Sequence, residues 1–129
     1  MKKTVIHTEQ APLPIGPYSQ AIETSSAQGL LFVSGQIAID PATNELIEGD
    51  VKAEAEQVMK NLAQILKKAG YGFENIVKTS IFLRDMADFA VVNEVYGAYF
   101  EANPPARETV AVVGLPKNVR VEISVIATK

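Results

Sequence analysis

The chain has 129 residues, 47% of them apolar and 21% charged, and a net charge of −3. That length fits one domain, 1–129, with a sizeable core, and the acidic balance argues against a nucleic-acid partner, which needs clustered positive charge. Cysteine is absent, which excludes disulfides, thiolate metal sites and a cysteine nucleophile; no apolar run is long enough to span a membrane.

"MKKTVIHTEQ" starts basic but has no apolar core, so it does not read as a secretory signal. The expected compartment is the cytoplasm. Within it "KTVIH" is a short strand. "TEQAPLPIGPYSQ" carries three prolines and cannot be regular structure. "AIET" and "LLFVSGQIAI" read as strands around the turn "SSAQG", and "DPATNELIEGD" is a polar turn segment. A helix is expected over 51–69, where Val51, Ala55, Val58, Met59, Leu62, Ile65, Leu66 and Ala69 form one stripe. Asp50 is its expected N-cap and Gly70 its C′ residue. "NIVKTSIFL" is the next strand. A second helix is expected over 86–102, capped by Asp85, with Phe89, Val92, Tyr96, Tyr99 and Phe100 as its apolar face and Pro104 as its stop. "RETVAVV" and "VRVEISVIA" close the chain as strands joined by "GLPKN".

The order β-β-β-α-β-α-β-β gives two strand-helix-strand crossovers in one mixed sheet. Right-handed crossovers put both helices on the same face, so the fold class is α+β with two layers. "TVAVV", "LLFV" and "SIFL" are apolar on both sides, unlike strands that face water on one side. Two helices cover one face only, so another copy of the chain is expected on the other.

Five places could carry chemistry. Arg107 follows Pro104-Pro105, which stiffen its approach, and it opens a strand that reads as buried on both faces. A guanidinium there needs an anion, and its planar fork suits a carboxylate, from a neighbouring side chain or from a substrate. Glu122 lies mid-strand, where a carboxylate is disfavoured unless paired or solvated. It is either an ion-pair partner of Arg120 or Arg107, a wet-face residue, or an acid–base group with a raised pKa. Whether Arg107 and Glu122 share a face stays open, because "GLPKN" could hide a bulge. Asn93 sits at helical spacing among Phe89, Tyr96 and Phe100, as a backbone-satisfied polar spot or a pocket amide. In "IGPYSQ", Pro17 presets the backbone beside Tyr18, a packed loop phenol or a pocket residue. In "SGQ", Gly35 inside a strand marks a bulge or a close backbone approach. The single histidine, His7, excludes a His-rich metal site and offers no convincing triad, and no Gly-rich phosphate loop occurs.

Taken together, "IGPYSQA", "FVSGQIAIDPATNEL", "NIVKTSIFLRDMADFAVVNEVYGAYF", "PPAR" and "LPKNVRVEISVIA" resemble the RidA (YjgF) family of reactive-intermediate deaminases, in order and over almost the whole chain. The resemblance implies a chorismate-mutase-like α+β protomer assembled as a homotrimer with ligand sites between subunits. It implies hydrolysis of 2-imino acids and their enamine tautomers, such as 2-aminoacrylate and 2-iminobutanoate released by pyridoxal-phosphate enzymes, to 2-keto acids and ammonia, with no cofactor. It makes Arg107 the carboxylate anchor and Glu122 the residue that holds or activates water, with Tyr18, Gly35 and Asn93 lining the pocket. Thr109 stands where the family often has cysteine; a role through its backbone carbonyl, accepting from the imine N–H, tolerates threonine. Three rival functions stand beside this one: a carboxylate-binding regulator without turnover, a ribonuclease or translation inhibitor, and a holdase-like chaperone.

Overall fold

Asp50 and Gly70 set the ends of the longest element. In the computed structural model, which describes residues 3–14, 19–24 and 29–129, helix α1 runs Val51–Ala69. The Asp50 side chain accepts from the Ala53 N–H, and Gly70 takes the left-handed conformation at φ 82° that ends the helix. The expected stripe is its buried face: Val58, Leu62 and Ile65 are fully enclosed.

The strands are β1 (Lys3–Ile6), β2 (Ala21–Thr24), β3 (Leu30–Gln36), β4 (Ile39–Asp40), β5 (Glu45–Leu46), β6 (Ile76–Leu83), β7 (Ala106–Ala111) and β8 (Val121–Thr128), with α2 at Phe89–Gly97. Six form one mixed sheet in the order β1-β2-β3-β8-β6-β7, while β4 and β5 pair apart as a small hairpin. β6 and β7 are parallel, joined over α2, and β8 runs antiparallel to both β3 and β6. This is the expected mixed sheet with two crossovers. The last two strands, however, do not form a hairpin: β8 inserts between β3 and β6, and β7 becomes the edge. The chain between them therefore crosses β6 instead of turning tightly.

One layer of core lies between sheet and helices. Val121, Ile123, Val125 and Ala127 of β8 and Ile81 and Leu83 of β6 meet α1 and the buried Val92, Val95 and Tyr96 of α2. Two of the buried polar side chains are paired in this layer: Asn61 donates to the carbonyls of Ile37 and Ile39, and Glu54 accepts from the backbone and guanidinium of Arg120.

α2 is shorter than its apolar pattern suggests. Asp85 caps a preceding 3-10 turn through the Ala87 N–H, and the helix stops at Gly97, well before Pro104. Glycine is a poor helix former. Beyond it Tyr99 and Phe100 close tight turns onto Tyr96 and Gly97 and pack against Phe73, the first tilted at 4.9 Å and the second edge-on at 5.8 Å between ring centroids.

The second sheet face carries no helix. Val5, Phe32 and Val110 stand exposed there, beside partly covered Ile22, Ile126 and Phe82. Phe32 alone leaves 42% of its surface in solvent. No helix among the described residues is long and apolar enough to cross a membrane.

Candidate functional site

Pro104 and Pro105 end the helical turn region and deliver the chain into β7, whose second residue is Arg107. β7 is an edge strand, not the core strand that "TVAVV" suggests: Val110 is 43% exposed and Val113, beyond the strand, is wholly exposed. The parallel register sets Arg107 beside Thr79 and Thr109 beside Ile81. Thr79 and Ile81 are buried, so Arg107 and Thr109 lie on the helix side of the sheet.

There the guanidinium carbon of Arg107 sits 5.0 Å from the Tyr96 ring centroid and 5.9 Å from that of Phe89. Phe89, Asn93 and Tyr96 are spaced i, i+4 and i+7, so they share one face of α2. Asn93 is exposed in the protomer, not enclosed in an apolar stripe; it borders the two rings that carry the guanidinium. The ion pairs among the described residues are Lys78–Glu108 and Arg120–Glu54. The guanidinium hydrogen bonds there belong to Arg84 and Arg120. Arg107 thus keeps all five N–H donors for an anion among the described residues.

Thr109 offers two groups. Its hydroxyl oxygen is buried and has no hydrogen-bond partner among the described residues. Its backbone faces outward by parity. The Val112 N–H donates to the Leu83 carbonyl on β6, and successive residues of a strand point their backbone groups to opposite sides. Val110 and Glu108 therefore face β6, whereas Arg107, Thr109 and Ala111 present N–H and C=O groups to the free edge.

Glu122 lies on the other side of the sheet. It pairs with Phe82, and Ser124 with Ser80, on the face that carries no helix. Neither expected ion-pair partner reaches it: Arg120 is engaged by Glu54, and Arg107 is across the sheet. Burial alone pushes its carboxyl above the ordinary carboxylate range. The carboxylate rests over Gly35, where a built Cβ would come within 2.5 Å of Glu122 Oε2. The pairing of β3 with β8 also slips between Val33 and Gln36. Gly35 therefore marks both a bulge and a close approach, and the group that approaches is Glu122. A groove of about 400 Å³ is lined by Ser19, Ala21, Ile22, Phe32, Val33 and Ser34 of β2, β3 and the segment before them. Tyr18 lies outside the described residues.

One protomer therefore holds two separated clusters on opposite faces of the sheet: Arg107 and Thr109 with Phe89, Asn93 and Tyr96 on the helix side, and Glu122 with Gly35 on the other. Sequence reasoning left out Phe89 and Tyr96 as site residues. Their helical spacing with Asn93 was the available signal, and it reads equally well as core.

A family profile described as endoribonuclease L-PSP matches residues 8–129. The chain is 52% identical over 127 residues to protein DfrA of Myxococcus xanthus, covering 98% of this chain and 96% of that protein. It is 46% identical over 127 residues to the 2-iminobutanoate/2-iminopropanoate deaminase of Mus musculus, covering 98% and 92%. The crystal structure of RidA from the Antarctic bacterium Psychrobacter sp. PAMC 21119 superimposes with a TM-score of 0.91 at 42% identity, covering 98% of this chain and 99% of that one.

Proposed function

From the premise that this chain belongs to the endoribonuclease L-PSP family, the family of the RidA (YjgF) proteins, we propose that it is a 2-iminobutanoate/2-iminopropanoate deaminase. It hydrolyses reactive 2-imino acids to 2-keto acids and ammonia, in the cytoplasm and without a cofactor. The observation that carries the reading is Arg107: a guanidinium set between two aromatic rings, with no protein anion engaging it among the described residues.

Each group has a role. Arg107 binds the substrate carboxylate through its fork. The Thr109 carbonyl on the free strand edge accepts from the imine N–H and so favours the protonated iminium, the stronger electrophile. Enamine tautomers first take a proton at C3 to become imines. Glu122 takes a proton from water as the water oxygen bonds to C2. Glu122 returns that proton to the nitrogen of the resulting carbinolamine, the C–N bond breaks as the hydroxyl oxygen forms the C=O bond, and the hydroxyl proton leaves with ammonia as ammonium, so that the keto acid remains and the Glu122 carboxylate is restored. Positioned acid–base help of this kind is worth about 10²–10⁴-fold.

Arg107 and Glu122 occupy opposite faces of one sheet, so a single protomer cannot bring both to one substrate. A site that uses both takes Arg107 from one subunit and Glu122 from the next, which calls for an oligomer closed through the helix-free face; the resemblance to the RidA family makes that oligomer a homotrimer. Gly35 and Asn93 then line the shared pocket, to which the resemblance to the family adds Tyr18. Sedimentation equilibrium is expected to give about three times the chain mass of 13.9 kDa, and Phe32→Asp, which sets a charge on that face, is expected to release monomers without turnover. A stable, active monomer would exclude the shared site.

Thr109→Val separates the two groups of that residue. The hydroxyl has no partner among the described residues, so its loss removes an unpaired buried polar atom and should leave thermal stability equal or higher. Turnover should stay within about threefold of the parent, a difference under 1 kcal/mol. A loss of tenfold or more at unchanged stability would move the role from the carbonyl to the hydroxyl.

The functional reading as a whole is tested by generating 2-iminobutanoate from threonine with a dehydratase and following keto-acid release. Faster release with this protein supports it; an unchanged rate contradicts it. The matched family's description names an endoribonuclease, which keeps RNA cleavage as the second reading. A net charge of −3 disfavours it, because RNA binding relies on a basic, aromatic-bearing surface.

A further inference from the structure

Tyr96 is 5% exposed, and its hydroxyl donates to Thr79 Oγ1 at 2.9 Å. A buried tyrosine usually finds such a partner for its hydroxyl. Here the partner is on β6, directly beside Arg107 in the parallel register. One hydrogen bond therefore ties the ring of α2 to the strand that flanks the guanidinium. The ring faces the Arg107 guanidinium at 5.0 Å, within the range of a cation–π contact. Burial raises the phenol above its ordinary pKa, against opposing pulls from Thr79 and Arg107, so it stays a neutral ring at physiological pH.

We propose that Tyr96 is a positioning residue for the carboxylate-binding arginine, its ring held by burial against the core and serving as the platform that keeps the Arg107 fork ready for the ligand. Phe89 is the second, weaker wall at 5.9 Å. A long arginine side chain on an edge strand has many rotamers, and fixing them costs affinity each time a ligand binds. With no protein carboxylate engaging the guanidinium among the described residues, the rings restrict it without occupying its donors. Such a platform leaves the N–H edges free, whereas an acidic partner would neutralise the charge that the ligand needs.

The inference rests on the proposed role of Arg107, and the test separates the two. Tyr96→Leu keeps an apolar filler and removes the π face; it is expected to weaken 2-ketobutyrate binding, read by calorimetry, about five- to tenfold. KM for 2-iminobutanoate should rise by a similar factor with kcat nearly unchanged, the signature of lost ground-state positioning. Tyr96→Phe keeps the ring and should stay within about twofold of the parent in KM, although losing the Thr79 bond lowers thermal stability. Phe89→Leu, at a less buried position, should give about a two- to threefold effect and serves if Tyr96→Leu folds poorly. In an Arg107→Ala background, Tyr96→Leu should change binding no further, since the ring acts only through that guanidinium. Parent-like keto-acid affinity in Tyr96→Leu, or an undiminished effect in the Arg107→Ala background, overturns the platform while leaving Arg107 as anchor. Parent-like affinity in Arg107→Ala overturns both.

Discussion

Arg107→Ala is expected to cut kcat/KM for 2-iminobutanoate by roughly 10²-fold or more. A charge-assisted hydrogen bond contributes roughly 1.5–3 kcal/mol, a bidentate carboxylate contact has two, and about 1.4 kcal/mol corresponds to tenfold. The fold should tolerate the change, because the guanidinium makes no ion pair among the described residues. Arg107→Lys keeps the charge and loses the fork, so it should be nearly as poor as alanine. Stability measured beside the coupled assay decides the alternative: a structural arginine would be rescued by lysine, and its alanine variant would lose more stability than activity. Unchanged 2-ketobutyrate affinity in Arg107→Ala would remove the carboxylate anchor.

Glu122→Gln is expected to slow turnover at least about tenfold, within the range for a positioned acid–base group, while keto-acid binding persists. The pH dependence gives the sharper signature. Burial raises the Glu122 pKa above the ordinary carboxylate value, so the active carboxylate form is lost as pH falls through a value higher than usual. The acidic limb of the rate profile should lie above the ordinary carboxylate range and vanish in the glutamine variant. Linkage runs in the matching direction. A carboxyl whose folded-state pKa is raised favours the fold most below its unfolded pKa, and that contribution is lost as pH rises through the folded pKa. At neutral pH the amide removes a poorly solvated charge, so Glu122→Gln should be at least as stable as the parent. Unchanged turnover with a sharp fall in melting temperature would make Glu122 a structural residue instead.

Local signals made much of the fold legible. α1 is bounded by Asp50 and Gly70 because capping is chemistry of one or two residues, and its expected stripe is buried from Val51 to Leu66, with Ala69 only partly covered. Alternating Val121, Ile123 and Val125 in "VRVEISVIA" mark the buried face of β8, and Gly35 announces a close approach. What stayed hidden depends on contacts distant in sequence. "TVAVV" has the composition of a core strand, yet β7 is an edge, because strand order is set by which neighbour β8 chooses. The same insertion of β8 puts Arg107 and Glu122 on opposite faces, which no count along "GLPKN" reveals. α2 continued in apolar pattern through Phe100, but Gly97 and the Phe73 ring drew that segment into turns. Tyr96 read as core and is core; its second role as a surface for a cation appears only when β7 is placed beside it.

The division of the site between subunits has a direct test in subunit complementation. Arg107→Ala and Glu122→Gln chains, each nearly inactive alone, are unfolded, mixed in equal amounts and refolded together. If each site takes Arg107 from one protomer and Glu122 from its neighbour, random assembly rebuilds an intact pair at about a quarter of the interfaces. Turnover of 2-iminobutanoate should then return to about a quarter of the parent value per chain. Mixed assemblies that remain as inactive as either variant alone would contradict a site shared between Arg107 and Glu122 of different subunits.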